Sequence, residues 1–171
     1  MKSFVFLFTF TFFLFVNAQT EISKNNRVSP LDSVEVKLQD NLEVEIIYSR
    51  PFLKGRQFEK IVPYGQVWRT GANEATVFEV NKDVIIEGNL LPAGKYSLYT
   101  IPGEKETIVI FNKDWDQWGT KYNPKRDALR VTVPTHFFGE SVEQFTIDVD
   151  QAGAACLVWG NTLFAFHIEQ S

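Results

Sequence analysis

The chain has 171 residues, of which 44% are hydrophobic, and a formal net charge of −4. This length suits a single domain that can bury a core. The mild acidity and the absence of a block of Lys and Arg exclude the charge pattern of a nucleic-acid-binding protein, so we expect no nucleic acid partner. The only cysteine, Cys156, cannot form a disulfide within one chain.

The N-terminus has the pattern of a secretory signal peptide over residues 1–18. Lys2 is followed by an apolar run over residues 4–16, and Val16 and Ala18 place small residues at the two positions that a signal peptidase reads. We predict cleavage after Ala18, which would remove Lys2 and take the net charge from −4 to −5. The sequence therefore predicts an exported protein, periplasmic or extracellular, with no transmembrane span after cleavage.

Residues 19–32 are polar and lack an apolar period, which predicts a flexible lead-in to a single β-domain over residues 33–171. Short alternating runs rich in Val, Ile, Thr, Phe and Tyr then recur every 8–12 residues or so. They cover residues 34–38, 42–46, 75–80, 84–86, 96–101, 107–111, 128–133, 142–149, 154–159 and 162–168, and a turn at 160–161 is predicted to join the last two. This rhythm predicts an all-β domain, either a two-sheet β-sandwich or, as the alternative, a closed β-barrel.

The segment 62–76, VPYGQVWRTGANEAT, contains two predicted turns, at 63–65 and 71–73, and a concentration of polar groups. Arg69, Asn73 and Glu74 place a cation, an amide and a carboxylate within six residues. A guanidinium suits a carboxylate or a phosphate, so these residues are candidates for ligand binding. In the alternative interpretation Glu74 neutralises Arg69 and the segment is a structural corner. Arg50 is a second cation that could lie near the same end.

Aromatic side chains offer stacking faces in two places. Trp115 and Trp118 lie in the longest irregular segment, residues 112–126, and could form a platform for a sugar ring or fold back as a lid on the domain. Trp68 could supply a further face beside Arg69. The candidate ligand-binding residues are therefore Arg50, Trp68, Arg69, Asn73, Glu74, Trp115 and Trp118.

No pattern in the sequence indicates a metal, a cofactor or a nucleophile. Asp114 and Asp116 have the spacing that begins a calcium loop, but the remaining ligand positions do not match. His136 and His167 lack a neighbouring ligand pattern. We expect no metal site and no cofactor, and the sequence favours a non-catalytic protein.

Several motifs resemble the bacterial family called domain of unknown function 2911. They are VWRTGANEAT (67–76), LPAGKYSLYTIPG (91–103), VIFNK (109–113) and QWG (117–119), with YSRP (48–51), KGR (54–56) and DALRV (127–131) fitting the same pattern. The resemblance covers residues 42–168 in order. It implies an exported protein of the Bacteroidetes type, and it makes the segment 67–76 part of a family signature without implying a reaction.

Three functional hypotheses follow. The first is a non-catalytic binding or interaction module for a small polar ligand, a sugar or a peptide. The second is a hydrolase of envelope or dietary polymers with Glu74 as acid or base. The third is a structural component of an envelope assembly, with an envelope protein as its partner.

Overall fold

The computed structural model describes residues 27–171 of the chain. The predicted signal peptide, residues 1–18, lies outside these residues, as does most of the predicted lead-in. The strands are β1 (Leu31–Lys37), β2 (Glu43–Ser49), β3 (Thr76–Val80), β4 (Val84–Ile86), β5 (Asn89–Leu91), β6 (Gly94–Ile101), β7 (Glu106–Asn112), β8 (Asp127–Val149) and β9 (Ala154–Gln170), with one helix, α1 (Phe58–Ile61), and 3₁₀ turns at Gln39–Asn41 and Pro124–Arg126. In this part of the chain no helix is long and apolar enough to cross a membrane.

The strands form where the sequence alternates apolar and polar residues. In β2, Val44, Ile46 and Tyr48 are buried, whereas Glu43 is exposed and Glu45 is half-buried. Successive side chains of a strand point to opposite faces, so this alternation gives the strand one face for the core and one for solvent. The prediction of an all-β fold is confirmed.

All nine strands belong to one antiparallel sheet in the order β1-β2-β3-β6-β7-β8-β9-β4-β5. Strands β1 and β5 are its two edges. No pairing joins these edges within residues 27–171, so the sheet is not closed into a barrel.

The sheet curls so that strands far apart in its order face one another. Phe166 of β9 packs against Phe78 of β3 and Phe111 of β7, with ring centroids 6.2 Å and 5.5 Å away. These rings are buried in a core that also takes in residues of β1, β2, β4, β6 and β8. The curl also brings residues 51–53, just beyond β2, beside β8, where Phe52 bridges to Gln144.

The last strands are longer than the sequence predicts. The runs at 128–133 and 142–149 are parts of one strand, β8, whose first half pairs with β7 and whose second half pairs with β9. The predicted turn at 160–161 is wrong, because β9 continues through it. Gly160 has φ +63°, and the added Cβ of any other residue would lie 3.4 Å from Phe58 Cβ. Glycine therefore bends β9 at this point and does not end it.

Candidate functional site

The segment that follows the predicted turn at Pro63–Gly65 is held against β6 and β3. Trp68 exchanges two backbone hydrogen bonds with Thr100 of β6, at 2.7 Å and 2.9 Å. Thr76 of β3 donates its hydroxyl to the carbonyl of Thr70 at 2.6 Å, and both residues are buried. Residues 68–76 are therefore a fixed corner of the sheet.

Trp68 packs inward. Its ring stacks on Trp159 at 5.7 Å with an interplanar angle of 17°, and meets Phe58 and Phe145 edge to face at 5.9 Å and 5.0 Å. Its Nε1–H donates to the carbonyl of Gly71 at 3.1 Å. These contacts give Trp68 a structural role in the core, and a ligand-binding role for it stays a prediction.

Arg50 is fully engaged within the fold. Its Nε donates to the carbonyl of Phe145, Nη1 to Asp32 and Nη2 to the hydroxyl of Thr146, at 3.0, 2.9 and 2.8 Å. These contacts join β1, the end of β2 and β8. Arg50 lines neither of the two cavities described below, so the structure does not group it with the other candidate residues.

A short backbone ladder joins the two segments that the sequence singles out. The amide of Gly119 donates to the carbonyl of Asn73, the amide of Ala75 donates to the carbonyl of Gln117, both at 3.0 Å, and Glu74 forms an isolated bridge with Trp118. Asn73 has φ +62°, a left-handed conformation that asparagine tolerates, and its side-chain amide donates to Ser49 at 3.4 Å. The ladder places a cavity on each side, and the two cavities share no lining residue.

The first cavity, which we call the tryptophan groove, has a volume of about 400 Å³. Its walls include Arg27, Ile47, Glu74, Val77, Trp115 and Trp118, with Asp116 and Gln117 beside them. Trp115 and Trp118 are 40% and 47% exposed, which is high for such large side chains. The walls combine apolar and aromatic side chains with three charged groups and one amide, a mixture that a small polar ligand can use.

Glu74 lines the groove and pairs with Arg27, another residue of its walls. Two hydrogen bonds of 2.6 Å and 2.9 Å join both carboxylate oxygens to the guanidinium. Among the described residues the ion pair of Glu74 is with Arg27 and none joins it to Arg69, so the alternative interpretation that Glu74 neutralises Arg69 is wrong. Sequence reasoning missed Arg27, because it lies in the polar lead-in, where no motif surrounds it.

Lys95 covers one face of Trp115. Its Nζ lies 5.3 Å from the ring centroid, a cation–π distance, and is held there by Glu79 at 2.7 Å. The hydrogen bond to Glu79 is the main cause that raises the pKa of Lys95. Lys95 therefore stays charged at neutral pH, and the opposite face of the indole is the one left for a ligand.

The second cavity, which we call the arginine pocket, has a volume of about 250 Å³. It is lined by Val67, Trp68, Arg69, Tyr99, Gly119, Thr120 and Tyr122. The rings of Tyr99 and Tyr122 are 4.8 Å apart and cover the outer face of β6 and β7. The structure therefore separates Arg69 from Glu74 and the two exposed tryptophans.

Tyr122 belongs to a charged network at the edge of the arginine pocket. Its hydroxyl donates to Asp127 at 2.7 Å and accepts from Arg130 at 2.7 Å, while Arg130 also donates to Asp127. Burial, and then the hydrogen bond to Asp127, raise the pKa of Tyr122 to about 12. The hydroxyl is therefore protonated at neutral pH and does not serve as a base there.

Neither cavity has the ligand set of a metal centre. Among residues 27–171 no three His, Cys, Asp or Glu side chains are grouped so that they could hold a metal ion. Asp116 is the other carboxylate beside Glu74 in the tryptophan groove. The hydrolase hypothesis would need these two as its acid and base, and it stays a prediction.

The fold and the two cavities define an all-β domain with an exposed aromatic groove on one side of a short ladder and an arginine pocket on the other. The chain belongs to the family described as "Protein of unknown function (DUF2911)", whose model matches residues 29–168. The family resemblance seen in the sequence is therefore confirmed. No curated protein and no solved structure matches the chain.

Proposed function

We propose that this protein is an exported, non-catalytic module that binds a sugar ring in the tryptophan groove. The observation that carries the proposal is the pair of half-exposed indoles, Trp115 and Trp118, beside the carboxylate of Glu74. Large aromatic side chains are usually buried, and two that stay exposed in one cavity indicate a binding surface. The proposal of export is supported by the signal-peptide pattern of residues 1–18.

The surfaces of the groove suit the two kinds of surface that a sugar presents. The C–H face of a pyranose is apolar and would lie on the free face of Trp115 or on Trp118, above Ile47 and Val77. The ring hydroxyls would form hydrogen bonds with polar groups of the same groove, such as the side-chain amide of Gln117. Because Lys95 occupies the other face of Trp115, we propose that the sugar stacks from the side of Trp118.

The rigidity of the scaffold supports a preformed site. The ladder between residues 73–75 and 117–119 ties the tryptophan loop to the corner before β3, and that corner is tied to β6. We further propose that the curled sheet is a two-layer sandwich, with the groove on the outer face of β2 and β3. A preformed site spends little free energy on ordering its own residues when it binds.

The test is a titration followed through the four tryptophan indole N–H signals in NMR spectra of residues 19–171. Neutral oligosaccharides of glucose, xylose, mannose and N-acetylglucosamine would be added in turn. We expect one class to shift the signals of Trp115 and Trp118 and to leave Trp159, which is buried, unchanged. Replacing either exposed tryptophan by alanine should weaken binding roughly two- to tenfold, the range expected for one aromatic contact.

Phe137→Ala is the matched control. Phe137 is 51% exposed, on β8, and lines neither cavity. This variant should bind like the wild type. Equal binding by the wild type and the Trp115→Ala, Trp118→Ala double variant would overturn the proposal, and so would the release of reducing ends from a bound oligosaccharide, which would favour the hydrolase instead.

A further inference from the structure

Arg69 stands apart from the other arginines of the chain. The sequence contains six arginines, all of them in the part that the structure describes. Five have hydrogen-bond or ion-pair partners: Arg27 with Glu74, Arg50 with Asp32, Arg56 with the carbonyl of Leu53, Arg126 with Asp114, and Arg130 with Asp127. Arg69 makes no hydrogen bond and no ion pair with residues 27–171, and its Nε is buried without a partner.

An unpaired cation in a partly buried place carries a cost. The guanidinium loses part of its hydration, and no protein acceptor replaces the lost water. Arg69 is nevertheless built into the corner, because the added Cβ of an alanine at position 119 would lie 2.9 Å from Arg69 Cβ. The chain thus places a glycine where the arginine side chain must pass, and directs that side chain along the arginine pocket.

The walls of the arginine pocket suit an organic anion. Tyr99 and Tyr122 offer apolar ring surface, and Thr120 lies beside Arg69. The pocket has one uncompensated cation, while Arg130 next to it is already neutralised by Asp127. Because the pocket offers one free cation and Asp127 lies nearby, it should favour a singly charged anion over a dianion, which the Asp127 carboxylate would repel more strongly.

We propose that the arginine pocket binds the carboxylate of a small organic acid, with the Arg69 guanidinium as its partner and the tyrosine rings against its apolar body. The planar fork of arginine matches the two oxygens of a carboxylate. A volume of about 250 Å³ suits a group of the size of one substituted ring or one amino-acid residue. This site lies outside the tryptophan groove and does not depend on the sugar-binding proposal.

The probe for the experiment is benzoate, with benzamide as its uncharged counterpart and inorganic phosphate as the competing anion. Binding would be followed through the indole signal of Trp68, which lines the pocket, with the indole of Trp115 as an internal control in the other cavity. We expect benzoate to shift Trp68 saturably and to leave Trp115 in place. Benzamide should bind at least tenfold more weakly, and phosphate should not compete.

The variants separate a site from a surface charge. Arg69→Gln should weaken the binding of benzoate at least tenfold. Arg126→Gln also removes one positive charge, from a residue that pairs with Asp114 and does not line the pocket, and should leave that binding unchanged. If Arg69→Gln fails to fold, Arg69→Lys keeps the charge without the fork and should still weaken benzoate severalfold. Equal binding of benzoate and benzamide, an unshifted Trp68, full competition by phosphate, or unaltered binding in the Arg69 variant would each overturn the proposal. Failure of the sugar titration would leave all these outcomes unchanged.

Discussion

Arg27 holds Glu74 with both ends of its guanidinium across 47 positions of sequence, at 2.6 Å and 2.9 Å. Both residues line the tryptophan groove, and the pair ties the chain just before β1 to the corner just before β3. The side chains of Arg27 and Glu74 are 23% and 45% exposed, so solvent screens the attraction. The pair is therefore better suited to shape the groove than to stabilise the whole domain.

We predict that Arg27→Ala lowers the free energy of unfolding by no more than about 1 kcal/mol, the upper range for an exposed ion pair. Amide hydrogen exchange at Val28 and Ser29 should rise, because this segment loses its tie to Glu74. Exchange within β2 and β3 should stay as in the wild type. A large loss of stability in urea denaturation, or unchanged exchange at these two amides, would contradict this account.

Trp68 and Trp115 allow a matched comparison of a structural and an exposed tryptophan. Trp68→Ala removes one member of the ring cluster with Phe58, Phe145 and Trp159, so it should lower the free energy of unfolding by about 3 kcal/mol or more. Trp115→Ala removes a 40% exposed ring and should change that free energy by less than about 0.5 kcal/mol. Urea denaturation of both variants checks the prediction, and similar losses for the two would contradict it.

The sequence predicts those features that depend on residues close together along the chain. The alternation in β2 and the turn-separated runs of Val, Ile, Thr, Phe and Tyr are local, and they predict the all-β class correctly. The sequence also makes Trp115 and Trp118 candidates, because an irregular segment rich in aromatics is visible without a structure. Which candidate residue lines which cavity depends on the fold and is not visible in the sequence.

The partners of the candidate residues could not be predicted, because they lie far away in sequence. Trp68 meets Phe145 and Trp159 only because the sheet curls, and Arg27 meets Glu74 only because β1 and β3 flank β2. The predicted turn at 160–161 failed for a related reason. A glycine with positive φ can end a strand or bend it, and the packing against Phe58 that decides between the two is not visible locally.

Tyr122 makes stability sensitive to alkaline pH. Burial and the Asp127 hydrogen bond raise its pKa from 10 to about 12, so the folded chain keeps a proton that the unfolded chain releases. The bound proton of Tyr122 therefore adds to the free energy of unfolding. This stabilisation is complete below pH 10 and is lost as the pH rises from 10 to 12. Its size is about 1–2 kcal/mol after allowance for partial solvent exposure. In Tyr122→Phe the free energy of unfolding should therefore fall less steeply between pH 9 and 11.5 than in the wild type.

An absorbance titration at the tyrosinate band gives an independent check on Tyr122. The wild type should show one more late-titrating phenol than Tyr122→Phe does. Tyr48, Tyr64, Tyr96 and Tyr99 also have raised pKa values, chiefly through burial, and supply the late titration that both proteins share. Identical slopes and identical titrations for the two proteins would show that the Tyr122 proton is not held by the fold.

Gly119 belongs through its amide to the ladder between the two cavities, and its missing side chain leaves room for Arg69. An added Cβ would lie 2.9 Å from both Arg69 Cβ and the carbonyl oxygen of Asn73, and the second neighbour is backbone that accepts the Gly119 hydrogen bond. Gly119→Ala should therefore lower the free energy of unfolding by about 1–3 kcal/mol, as overpacking does. Gly139→Ala is the matched control, since nothing lies within 4 Å of its added Cβ.

The double variant Gly119→Ala, Arg69→Ala separates the two causes of that loss. The nearest neighbour of the added Cβ is Arg69 Cδ, which Arg69→Ala removes while Arg69 Cβ stays, so the two effects should be less than additive, as is typical of residues in contact. The clash with the Asn73 carbonyl remains, so the rescue should be incomplete. Strictly additive losses in a urea-denaturation cycle would mean that Gly119 stabilises the fold only through its hydrogen bond in the ladder. They would contradict the view that Gly119 makes room for the Arg69 side chain.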